Sequence, residues 1–123
     1  MTENKNVLAL AYLGDAIYEC YIREYLLQKG NVKVKELQEQ SISYVSAKNQ
    51  CKYLKKMLEN QFLSEEELDI VLRARNHKSH KSPKNTDVAT YKYATGLEAL
   101  IGYLYLEEKK NRIDEIMKWI TGE

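Results

Sequence analysis

The sequence predicts an all-α protein of about six helices. Three observations carry this. The 123 residues hold one Pro and five Gly, so long segments run without a breaker. No stretch alternates apolar and polar residues over the length of a strand. Two stretches, 7–18 and 93–106, are apolar on nearly every side of a helix, and small residues recur in both. The length suits a single domain over residues 1–123, and 44% apolar with 30% charged residues is the balance of a globular chain.

The elements follow in order. Asn4 or Asn6 caps a first helix that runs to about Gln28, with Gly30 as its stop. Lys33 to Gln40 is a short helix or turn. Ser41 or Ser43 opens a third helix through about Glu59. Ser64, followed by Glu65, Glu66 and Glu67, is a capping-box signature for a fourth helix reaching about Arg75. Residues 76–85 read as a loop. Asn85 or Thr86 caps a long fifth helix to about Glu108, and a last helix runs from about Arg112 to Ile120. In the first helix Ala9, Ala11, Gly14 and Ala16 are small, and in the fifth Ala94, Gly96, Ala99 and Gly102. A crossing near Gly14 and Gly96 would bring these two helices close. Their apolar surfaces, with Tyr18, Tyr21, Tyr25, Tyr103 and Tyr105, suit a core or a subunit interface equally.

No uncharged apolar run approaches the roughly 18 residues of a membrane span, so no membrane association is expected. Glu3 and Lys5 lead directly into the first helix, unlike a secretory leader. Cys20 and Cys51 lie inside helices and read as reduced core residues of a cytoplasmic protein.

Each all-apolar stretch carries one charge: Asp15 in the first, Glu98 in the second. A carboxylate in a core helix costs several kcal/mol unless something positive meets it. Neither stretch supplies a nearby Lys or Arg, so a shared metal ion is the simplest partner. Mg²⁺ accepts one or two carboxylates and keeps several waters. The plainer reading has each acid facing solvent or pairing with a distant Arg. Glu19, one turn beyond Asp15, could add an outer contact or pair with Arg23, and the i,i+4 pair is favoured.

Net charge is +1, but residues 73–84 hold Arg73, Arg75, Lys78, Lys81 and Lys84 and no acid, leaving −4 for the rest. With Asn76 and Asn85 as donors, this segment matches phosphate backbones, or it is a solvated loop. Lys48, Lys52, Lys55 and Lys56 form a second basic face, with the same two readings. His77 and His80 alone are a weak zinc signal. No nucleophile or phosphate-loop motif is present.

The motifs around the two acids carry a resemblance. Leu13-Gly-Asp-Ala16 resembles the core of the first signature of the ribonuclease III family. Gly96-Leu-Glu-Ala-Leu-Ile-Gly-Tyr-Leu-Tyr-Leu106 looks like its second. With Tyr44-Val-Ser-Ala-Lys48 and Ser82-Pro-Lys-Asn-Thr-Asp-Val88, four ordered segments resemble the Mini-ribonuclease III branch over essentially the whole chain. The resemblance implies an all-helical, homodimeric endonuclease domain. It implies Mg²⁺-dependent hydrolysis of double-stranded RNA to 5′-phosphate and 3′-hydroxyl ends. For that branch it implies maturation of the 23S ribosomal RNA precursor in the cytoplasm, with a large-subunit ribosomal protein as a further candidate partner. Asp15 and Glu98 carry over as catalytic metal ligands. Thr95, Glu19 and Lys48 are supporting candidates, Thr95 to orient a water.

The departures are informative. The family's Glu four residues before the Asp falls on Ala11, and its Asp three residues before the second Glu falls on Thr95. The carboxylate complement is halved, which implies weaker metal binding and more waters. No double-stranded-RNA-binding domain is recognisable, so the domain is expected to grip RNA itself through Arg73, Arg75, Asn76, Lys78, Lys81, Lys84 and Asn85. A catalytically silent RNA-binding scaffold for ribosome assembly is the alternative, and a purely dimerising helical module a second.

Overall fold

The computed structural model describes residues 6–30, 33–78 and 87–122, and among these it has six helices and no strand. They are α1 (Val7–Gln28), α2 (Val34–Val45), α3 (Ala47–Glu59), α4 (Glu65–Arg75), α5 (Val88–Leu106) and α6 (Lys110–Thr121).

Local chemistry sets the boundaries. The Asn6 side chain accepts from Leu8 N at 2.7 Å and caps α1. The capping box forms as expected, with Glu67 N on Ser64 Oγ and Ser64 N on Glu67 Oε1. Two expected caps move. Ser41 and Ser43 lie inside α2, where their hydroxyls donate to the carbonyls of Gln38 and Gln40. The break falls instead at Ser46, whose extended backbone ends α2 and whose side chain caps α3. The cap of α5 is Asp87, which accepts from Thr90 N at 2.8 Å. The expected caps Asn85 and Thr86 lie outside the described residues.

α5 is the central element, packed on α1, α3, α4 and α6, with its most extensive contact to α1. From Ala94 to Leu104 every residue of α5 is buried except Glu98. No helix surface can be that apolar and face water, so the other helices must wrap it. Around it Leu10, Tyr18, Ile22, Leu54, Met57, Val71, Ile113 and Ile116 complete the core.

The α1–α5 contact is closer than side chains would permit. A Cβ on Gly14 would lie 1.7 Å from the Glu98 backbone oxygen, and one on Gly102 would lie 2.1 Å from the Leu10 backbone oxygen. Gly14 and Gly102 therefore form the crossing, not Gly14 and Gly96 as the sequence suggests. Gly96 faces α4 and α3 instead, with Val71 O and the Leu54 side chain as its nearest neighbours.

At the far end, Arg112 clamps α6 to the start of α4. Its guanidinium donates to both Glu67 carboxylate oxygens and to Phe62 O, each at 2.8 Å. Burial alone would raise Glu67, but Arg112 and Ser64 outweigh it and hold the carboxyl below its usual range. Cys51 is buried as expected, whereas Cys20 is exposed on α1 and is not a core residue. Among the described residues no helix is long and apolar enough to cross a membrane.

Candidate active site

The glycine contact decides where the two acids stand. Gly14 presses on the backbone of Glu98 itself, so Asp15, the next residue of α1, is delivered beside the Glu98 side chain. Across the crossing the Asp15 carboxyl acts directly on that of Glu98 and raises it. Asp15 is exposed and Glu98 half-buried, so the expectation that both acids are buried holds only in part. Neither forms an ion pair with a described Lys or Arg.

Two carboxyl groups this close cannot both be ionised without a cation. Burial first, and Asp15 second, push the Glu98 carboxyl up to about 9. Tyr18 lies beneath, fully buried, and its hydroxyl donates to Tyr44 O at 2.7 Å. Burial above all holds this phenol protonated.

Gln50 completes the surroundings. It is 1% exposed, sits on α3, and its amide favours the charged form of the Glu98 carboxyl. No quoted motif contained it. The Tyr44–Lys48 segment ends two residues short of it, and only the buried face of α3 could have pointed to it.

The two positions at which the resemblance implies further acids hold Ala11 and Thr95. Ala11 is 6% exposed and Thr95 is 4% exposed, so both are closed over. Each lies one turn before a carboxylate, on the same helix face. The Thr95 hydroxyl donates to Tyr91 O at 2.9 Å, which leaves it only acceptor capacity. Among the described residues no three His, Cys, Asp or Glu converge as metal ligands. A cation here would thus hold two carboxylates and complete its shell with water. That suits Mg²⁺, a hard cation that keeps several waters.

Glu19 takes the expected structural role, accepting from Arg23 Nη2 at 2.6 Å. Lys48, Lys52, Lys55 and Lys56 are all exposed on α3. Lys55 Nζ lies 5.0 Å from the centre of the Tyr93 ring, and the Arg75 guanidinium carbon lies 5.4 Å from the same ring. Two cations from α3 and α4 thus converge on α5 about a turn and a half before Glu98. Arg73 is paired with Asp69 at 3.7 Å on the surface. Asn76 caps α4 and accepts from Arg75 Nε at 3.1 Å, and Lys78 is exposed. Lys81, Lys84 and Asn85 fall outside the described residues.

Residues 8–109 match the family model described as the ribonuclease III domain. The chain belongs to the ribonuclease III family. The endonuclease assignment implied by the motifs stands on that membership. The chain is 50% identical to the Mini-ribonuclease 3 of Enterococcus faecalis, over 93% of this chain and 86% of that one. It is 44% identical to the Mini-ribonuclease 3 of Staphylococcus aureus, over 94% and 86% of the two chains. Its fold matches the crystal structure of a Fusobacterium nucleatum protein with a TM-score of 0.87 and 38% identity, covering 98% of this chain and 96% of that one. Asp15 and Glu98 both lie inside the matched domain.

The raised Glu98 carboxyl gives a stability prediction. Below its ordinary range Glu98 is protonated whether the chain is folded or not. Between that range and about 9 the folded protein holds a proton that the unfolded chain releases. Metal-free protein should therefore lose Tm as pH rises from about 5 through about 9. Mg²⁺, which can replace the proton, should reduce that loss, and Glu98→Gln should remove it. A Tm in EDTA that stays flat over this window would contradict the paired arrangement.

Proposed function

We propose that this chain cleaves double-stranded RNA, using Mg²⁺ held between Asp15 and Glu98. We further propose that it acts as a homodimer on the 23S ribosomal RNA precursor in the cytoplasm. The observation that carries the reading is the pair itself: two acids brought together by the α1–α5 crossing, both inside the matched domain, with no ion pair to a described Lys or Arg. A bound Mg²⁺ would polarise a phosphoryl oxygen and favour water as the nucleophile. The chain's residues supply the setting. Asp15 and Glu98 would hold the cation, and the close backbone contact of Gly14 with Glu98 keeps the two helices that carry them in register. Thr95, with its proton committed to Tyr91, can accept from a water and orient it.

RNA is gripped, in this reading, by the α3 lysines, by Arg73, Arg75, Asn76 and Lys78, and by Lys81, Lys84 and Asn85. A-form RNA is read largely through phosphates, 2′-hydroxyls and shape, which suits lysines and asparagines rather than a base-reading pocket. Homodimerisation is supported by the family's two-strand cut and by exposed apolar residues such as Tyr12 on α1, 85% exposed.

The test is incubation with a short RNA duplex, with Mg²⁺ or with EDTA. Cleavage that needs Mg²⁺ and leaves 5′-phosphate ends is expected. Binding without cleavage would favour the silent scaffold instead. Mapping on the ribosomal precursor, with and without large-subunit ribosomal proteins, tests the substrate. Binding should weaken steeply with salt, and Lys78→Ala should lower the slope of log K against log salt by about one. An unchanged slope would remove Lys78 from the interface.

A further inference from the structure

Among the described residues, one buried side-chain polar atom has no hydrogen-bond partner: Gln50 Oε1. Its position is not an accident of an ambiguous amide. Gln50 Nε2 donates to Val45 O at 3.2 Å, and a carbonyl can only accept, so that bond fixes which end of the amide is nitrogen. The same amide acts on the Glu98 carboxyl and favours its charged form. Gln50 thus links the end of α2, the first turn of α3 and, electrostatically, the acid on α5. Its remaining oxygen is buried without a partner.

A carboxylate that binds a cation through one oxygen needs a donor on the other to hold its orientation. Lys and Arg form no described ion pair with Glu98, and Thr95 has given its proton to Tyr91. Among the described residues, Gln50 is the side-chain amide that acts on Glu98. We infer that Gln50 is a positioning residue of the cleavage site. Its amide N–H holds Glu98 in the cation-binding orientation, and its free Oε1 accepts a hydrogen bond from a water around the cation. This rests on the assignment of Asp15 and Glu98 as the cation's ligands. In a site with half the family's carboxylates, a neutral amide supplies order where the missing acids would have supplied charge.

A purely structural Gln50 would only close the end of α2, and the two roles separate in a metal titration without RNA. In Gln50→Leu protein that keeps the wild-type circular dichroism, Mn²⁺ affinity should fall about tenfold or more. Cleavage should recover in part as Mg²⁺ is raised. In the wild-type protein, the Gln50 side-chain amide resonances should shift on adding Mg²⁺ alone. This second measurement decides the matter should Gln50→Leu fail to fold. Mn²⁺ affinity within twofold of wild type in folded Gln50→Leu, or amide resonances unmoved at saturating Mg²⁺, overturns the inference. Asp15→Asn measured in parallel tells the two readings apart. Loss of Mn²⁺ binding there, with Gln50→Leu unaffected, overturns the role of Gln50 alone. Wild-type affinity in Asp15→Asn overturns both.

Discussion

Asp15→Asn lowers the rate of duplex RNA cleavage by about 10³-fold or more, since a cation's charge stabilisation is worth several kcal/mol in the transition state. The substitution keeps the shape of the side chain and removes its charge. Asp15 is exposed, so its amide meets water and costs little stability. In metal-free protein the change is expected to help, because an Asn amide can donate to an ionised Glu98, which beside Asp15 has to keep its proton. The expected set of results is therefore asymmetric: wild-type circular dichroism, an equal or higher Tm in EDTA, loss of any rise in Tm with Mg²⁺, and loss of cleavage. Cleavage at the wild-type rate with Mg²⁺ present would sink the assignment of Asp15.

The second large effect is on folding. Alanine at Gly14 or Gly102 would place a methyl group 1.7 or 2.1 Å from a backbone oxygen of the facing helix. Backbone cannot rotate aside as a side chain can, so the helices must part. Overpacking of this kind costs about 3 kcal/mol or more, against a gain of about 1 kcal/mol in helix propensity. The net loss lowers Tm by roughly 10 °C for a chain of this size. Gly96→Ala is the control, because its nearest contact would be 3.2 Å, with a movable Leu54 side chain at 3.3 Å. It should cost much less. A Gly102→Ala protein with the Tm of Gly96→Ala would show that α1 and α5 do not touch through these glycines.

Much of the architecture was legible in the sequence because the helices are long and breakers few. The Ser64 capping box was readable since its donors and acceptors lie within four residues. Ser41 and Ser43 misled for a local reason: a serine that bonds back into its own helix has the same chemistry as one that caps the next. The crossing at Gly102 was hidden because Gly96 and Gly102 lie six residues apart, on different faces of α5, and either could have met Gly14. Asp15 and Glu98 were found as lone charges in apolar runs, and their motifs gave them roles. Gln50 was missed since its significance is tertiary: nothing near it in the chain mentions Glu98, and only the packing of α3 on α5 brings them together.

The pairing of α1 with α5 has a consequence for when this protein becomes a nuclease. Asp15 leaves the ribosome early and Glu98 late, with α2, α3 and α4 made between them. Until α5 has emerged, the apolar side of α1 has no cover and Asp15 has no partner. A contact between such distant segments closes late, because the intervening chain must first be ordered. Core and carboxylate pair then close in the same event. A chain still being translated, surrounded by the kind of polymer it cuts, carries one acid and no site. Its activity arrives with its fold.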